Sequence, residues 1–142
     1  MRKSSFLPDR PLKIAVLGSS GAVGSELLKI LEERNFPLSD LILLSSSRSS
    51  GKKVIWKDTE LLTQEVNKDL FSSVDLVFAS AGGSISKKWL NTIKEQNALL
   101  IDNSSAFRMD KEVPLVVPHV NFPKSENNIF ANPNCSTIIL SC

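Results

Sequence analysis

Apolar residues first appear as a short block, Leu12-Lys13-Ile14-Ala15-Val16-Leu17, rich in branched side chains and closed by Gly18. That is the pattern of a buried strand. From Ala22 to Arg34 the spacing changes. Val23, Leu27, Ile30 and Leu31 recur at helical intervals and predict one apolar face, with Asn35-Phe36-Pro37 ending the helix. Leu41 to Leu44 reads as a second strand, followed by a polar stretch from Ser45 to Lys53. Strand, helix and strand within about 30 residues make a βαβ unit, which demands a parallel sheet and a right-handed crossover.

The segments Val54 to Trp56 and Leu61 to Val66 carry weaker signals and predict short strands or an edge elaboration. Val74 to Ala79 repeats the buried-strand pattern and is closed by Ser80-Ala81-Gly82-Gly83. A helix is predicted from Ser86 to Gln96 with Trp89, Leu90 and Ile93 on one side, then a strand from Ala98 to Asp102. Val113 to Pro123 contains three prolines and reads as a loop with two short extended pieces at most. Ile129 to Ala131 predicts a last strand, and a helix begins at Ser136 to Leu140. The fold class is therefore α/β, a Rossmann-like, doubly wound and mostly parallel sheet.

Composition narrows the setting. The chain has 142 residues, 42% hydrophobic and 23% charged, which suits one folded domain. A formal charge of +2 is too small to suggest a nucleic-acid partner. Neither a secretory leader nor an apolar run of the ~20 residues needed to span a bilayer is visible, so no membrane partner is expected. Two cysteines, Cys135 and Cys142, cannot build a disulfide framework or a zinc quartet, so no metal site is expected and a reducing compartment is. The sequence stops inside the apolar run Ile138-Ile139-Leu140, from which a further domain is expected to follow.

Gly18-Ser19-Ser20-Gly21-Ala22-Val23-Gly24 lies between the first strand and the first helix. Gly18 permits a tight turn, Gly21 lets backbone approach a pyrophosphate, and Gly24 removes a side chain where helix and strand pack closely. The helix N-terminus offers free N–H groups to phosphates. The spacing departs from G-x-G-x-x-G, so its placement carries the argument, against the plainer reading of a merely tight turn. After the second strand stand Ser47, Arg48 and Ser49, with Lys52 nearby, and no carboxylate. Arg48 can grip a 2′-phosphate and serines can assist, which favours NADP over a solvated basic loop.

Cys135 follows Asn132-Pro133-Asn134 and precedes a predicted helix. A helix N-terminus favours a thiolate, which can attack an acyl carbon before hydride arrives from a nicotinamide. The plainer reading is a small packed hydrophobe, and Cys142 is read that way. Asp102-Asn103-Ser104-Ser105-Ala106-Phe107-Arg108 leaves the C-terminal end of a strand, where such sheets place ligands. Arg108 can clamp a phosphate or carboxylate with Asn103 donating, or can be an ordinary surface arginine. The sole histidine, His119, has nothing in sequence to orient it for catalysis.

Together these segments resemble the N-terminal part of the aspartate-semialdehyde dehydrogenases. The pieces that carry the resemblance are Gly18 to Gly24, Ser47 to Lys52, Phe78 to Gly83, Ile101 to Arg108, Val117 to Asn121 and Asn132 to Thr137, in the family's order. The resemblance implies that Ser20, Gly21, Ala22, Val23, Arg48 and Ser49 bind NADP, with Ser80, Ala81 and Gly82 lining the cofactor side. It implies that Arg108, helped by Asn103, holds the substrate phosphate and that Cys135 forms an acyl-thioester. The implied reaction is reductive dephosphorylation of L-aspartyl 4-phosphate to L-aspartate 4-semialdehyde, in a homodimeric or homotetrameric cytoplasmic or plastid enzyme.

His119 stands where the resemblance leads one to expect glutamate. The family's general-base histidine lies in a following domain, so this chain by itself is expected to be inactive. The expected layout is an N-terminal extension over 1–11, the NADP-binding domain over 12–134, and over 135–142 the start of an active-site helix. Two alternatives stay open: an N-acetylglutamyl-phosphate reductase-like enzyme, and a non-catalytic NADP-binding module.

Overall fold

The computed structural model describes residues 7–121, 123 and 127–142. Strand β1 (Leu12–Leu17) leads through the glycine turn into helix α1 (Ala22–Glu33) and strand β2 (Leu38–Ser45). A hairpin follows, β3 (Lys53–Trp56) and β4 (Thr59–Leu62), then a two-residue strand β5 (Gln64–Glu65). The chain continues with β6 (Leu76–Ala79), α2 (Gly83–Glu95), β7 (Leu99–Asp102), β8 (Ile129–Ala131) and α3 (Cys135–Ser141). The six-stranded sheet runs β5-β2-β1-β6-β7-β8, and each of its neighbouring pairs is parallel.

Both faces of this sheet are covered, so β1, β6, β7 and the second half of β2 are predominantly apolar instead of alternating with polar residues. Leu12, Ile14 and Val16 of β1 pack with Leu28 of α1 and Trp56 of the hairpin. Ala15 and Leu17 point the other way, into a core shared with Phe71, Ile93 and Phe107. The strand period of two thus assigns each β1 residue to a layer. The chain leaves β1 for β2 on one side and reaches β6 on the other. The C-terminal edge of β1 is therefore the topological switch point, where doubly wound sheets open a crevice.

Several sequence expectations shift in the structure. The buried positions of α1 are Gly24, Leu28 and Leu31, whereas Val23 and Ile30 are 51% and 39% exposed. The apolar face is rotated because Gly24, which has no side chain to register in an apolar count, sits against the glycine turn. Helix α2 begins at Gly83, three residues before the predicted Ser86, and α3 begins at Cys135 itself. Among the described residues of the loop from Val113 to Pro123, one extended contact forms: a parallel bridge between Leu115 and Ala131. Phe122, within that loop, lies outside the described residues. Both long helices end on asparagine in the left-handed region, Asn35 at φ 44° and Asn97 at φ 54°, a common helix stop.

Ahead of β1, Arg10 donates from Nη1 and Nη2 to the Asp75 carboxylate, each at 2.9 Å. The Lys13 backbone N–H donates to the same carboxylate at 2.8 Å. The segment preceding the first strand is in this way fastened to the start of β6.

Candidate functional site

The glycine turn is shaped by two close approaches. Gly18 has φ 90°, and a Cβ there would lie 2.7 Å from the backbone nitrogen of Ala81. A Cβ on Gly24 would overlap the Gly18 carbonyl oxygen and come within 2.8 Å of the Ser19 Cα. Gly21, by contrast, has φ −82°, and a Cβ there would meet only the Gly18 oxygen at 3.4 Å. Gly18 and Gly24 are thus required by the protein's own packing. Gly21 is dispensable to it, which suits a position kept small for a ligand.

A cavity of about 400 Å³ opens at the switch point. Gly18, Ser20 and Gly21 form its floor, Ser45, Ser46 and Ser47 one side, and Ser80 and Ala81 the other. Ile85 and Trp89 of α2 and Val66 add apolar lining, and the charged Lys88 and Glu65 line the cavity as well. Among the predicted cofactor residues, Gly18, Ser20, Gly21, Ser80 and Ala81 therefore share one cavity. Ala22, Val23, Arg48, Ser49 and Gly82 border it in sequence without lining it. Arg48 and Ser49 lie in a 3-10 turn, Ser47–Ser49, continuous with the cavity's serine side. The Arg48 side chain is exposed and has no hydrogen bond or ion pair among the described residues. Its turn is held from below: the Thr63 hydroxyl donates to the Ser49 carbonyl, and the Gly51 N–H donates to the Thr63 carbonyl at 2.7 Å.

The second group of predicted residues gathers at the C-terminal ends of β7 and β8. Arg108 donates from Nε to the Asn132 carbonyl at 2.8 Å and from Nη2 to the Asn103 carbonyl at 3.1 Å. Two of its five N–H groups are thereby used, and three remain for an anion. Asn132 opens the turn that leads to Cys135, so a single guanidinium joins the loop after β7 to the approach of α3. Cys135 occupies the first position of α3, behind Asn134, whose side chain accepts from the Thr137 N–H at 2.8 Å. The cysteine is exposed, not packed in hydrocarbon.

Sequence reasoning overlooked what holds this loop. Asp102 is fully buried and accepts hydrogen bonds from the hydroxyls of Ser86 and Ser104, each at 2.6 Å. Ser104 in turn accepts from the Ala106 N–H at 3.1 Å. Asp102 thereby fastens the loop that carries Asn103 and Arg108 to the first turn of α2. The available signal was a carboxylate ending an otherwise apolar strand. Glu65, Lys88 and Ile85 were overlooked as well, because only the folded sheet brings β5 and α2 to the glycine turn.

These features agree with what the chain is similar to. Its sequence matches the NAD-binding domain of semialdehyde dehydrogenase over residues 13–128. The chain belongs to the semialdehyde dehydrogenase family. It is 54% identical over 136 residues to an aspartate-semialdehyde dehydrogenase of Prochlorococcus marinus, covering 94% of this chain and 40% of that protein. Aspartate-semialdehyde dehydrogenase II of Vibrio cholerae, solved in complex with ASA, matches with TM-score 0.86 and 42% identity over 92% of this chain and 44% of that one. The Candida albicans enzyme solved with NADP matches with TM-score 0.72 and 27% identity over 89% of this chain and 44% of that one. The chain thus spans about 40% of the length of the curated relatives it matches. Among the described residues, no helix is long and apolar enough to cross a membrane.

Proposed function

We propose that this chain is the cofactor-binding and nucleophile-bearing part of an NADP-dependent aspartate-semialdehyde dehydrogenase. The reaction proposed is the reductive dephosphorylation of L-aspartyl 4-phosphate to L-aspartate 4-semialdehyde. The donor set of the crevice fits a dinucleotide: small residues and a helix N-terminus for the pyrophosphate, serine hydroxyls for the ribose, and apolar lining for the base. Arg48, uncommitted and exposed beside the serines, supplies the charge that a 2′-phosphate needs. The NADP named with the Candida albicans structure supports the same choice.

The observation that carries the reading is the double anchorage of Arg108. It keeps a guanidinium beside the backbone that leads to Cys135, and in this reading that guanidinium holds the substrate phosphate while the sulfur attacks the acyl carbon. Attack forms the C–S bond of the acyl-thioester and breaks the C–O bond to phosphate, which leaves with the electron pair and stays paired with Arg108. A bound reduced nicotinamide supplies hydride, which takes the acyl group to the aldehyde level. Collapse of the resulting thiohemiacetal on Cys135 restores the thiolate. Exposed free cysteines at 135 and 142 suit a thiol-reducing compartment such as the cytoplasm.

Turnover is proposed for a protein that carries this chain together with the rest of the relatives' length, of which this chain covers about 40%. In that protein Cys135→Ala is expected to abolish turnover while NADPH binding is unchanged. Turnover that survives the substitution rules out the thioester route.

A further inference from the structure

Glu65 takes no part in the chemistry proposed for the crevice. Among the described residues it is the single carboxylate on the wall of the 400 Å³ crevice, it is exposed, and it has no hydrogen bond or ion pair. A free negative charge beside a site for a polyanionic dinucleotide weakens binding unless the carboxylate meets a hydrogen-bond donor of the ligand. The adenosine half of such a ligand offers only two kinds of donor, the ribose hydroxyls and the 6-amino group of the base.

The sheet separates the two. In doubly wound folds the ribose lies over the end of the second strand, next to the glycine turn, here the serines that follow β2. Strand β5 pairs in parallel outside β2, with Glu65 opposite Ser45, which places it about 4.8 Å further from the turn. Val66, Ile85 and Trp89 line the crevice together with Lys88, whose Nζ lies 5.4 Å from the centroid of the Trp89 ring, and the three apolar residues pack against the core. A planar heteroaromatic ring fits between such surfaces, with its polar edge toward the opening.

We infer that Glu65 is a specificity-determining residue that accepts a hydrogen bond from the 6-amino group of adenine, so the crevice selects an adenine-bearing dinucleotide. This rests on the dinucleotide reading above and adds the base to it. Two nearby acidic side chains are directed elsewhere: Glu60 of the hairpin pairs with Lys53 at 3.1 Å and Glu32 of α1 accepts from the Lys57 N–H at 3.1 Å.

The test titrates the chain with NADPH and with the analogue in which unsubstituted purine replaces adenine. Purine keeps the ring and loses the donor. A charge-assisted hydrogen bond corresponds to about a tenfold preference for NADPH in the unsubstituted protein, falling to near parity in Glu65→Ala. Equal affinity of the unsubstituted protein for the two ligands overturns the inference without any variant. So does a preference that persists in Glu65→Ala, or a substitution that alters only the ratio of NADPH to NADH binding, which places the carboxylate on the ribose. Failure of both ligands to bind removes the dinucleotide reading itself, and the inference with it.

Discussion

Gly18, Gly21 and Gly24 form one motif in sequence but answer to different forces. At Gly24 an added methyl group runs into the Gly18 carbonyl and the Ser19 Cα, neither of which can rotate away. Gly24→Ala is therefore expected to cost about 1–3 kcal/mol of stability, the usual penalty of overpacking. Gly21→Ala, with a permitted φ and one ordinary contact, is expected to stay within about 0.5 kcal/mol of the parent. Urea unfolding of the two variants separates these outcomes, and equal losses contradict the packing account. The motif's spacing was legible in the sequence; which of its glycines the protein's own packing requires was not, because for Gly18 that depends on the backbone of Ser80 and Ala81 arriving from β6. The same holds for Asp102, whose partners Ser86 and Ser104 lie on separate elements.

At the level of elements, the apolar strands and the βαβ order could be read directly, since buried parallel strands leave dense apolar runs. Short strands are expected around Val54 and Leu61 as well, but their pairing as the hairpin of β3 and β4 could not be read. Its turn is Lys57-Asp58, both in the left-handed region at φ 45° and φ 59°, whereas sequence signals for such two-residue turns rely on Asn-Gly or Asp-Gly. The hairpin is held by packing instead: Trp56 is buried against α1 and donates from Nε1 to the Leu28 carbonyl at 3.2 Å. A β-carbon in the left-handed region is costly, so Asp58→Gly is expected to raise stability by about 0.5–1 kcal/mol. A thermal melt that shows no gain argues that the turn is not strained. Closing the hairpin over α1 leads the chain to β5, and through β5 to the placement of Glu65 at the crevice.

Across the whole molecule, the two tryptophans report on opposite faces of the sheet. Trp56 belongs to the layer of α1, and Trp89 lines the crevice on the layer of α2. In Trp56→Phe the crevice tryptophan is the only one left, and reduced nicotinamide absorbs where tryptophan emits. Whether the crevice at the switch point takes a dinucleotide bearing a 2′-phosphate is decided by titrating this variant with NADPH and NADH. Saturable quenching by both is expected, with tighter binding of NADPH, and adding Arg48→Ala should weaken NADPH while leaving NADH nearly unchanged. Absence of saturable quenching by either nucleotide, or equal weakening of both by Arg48→Ala, contradicts the account.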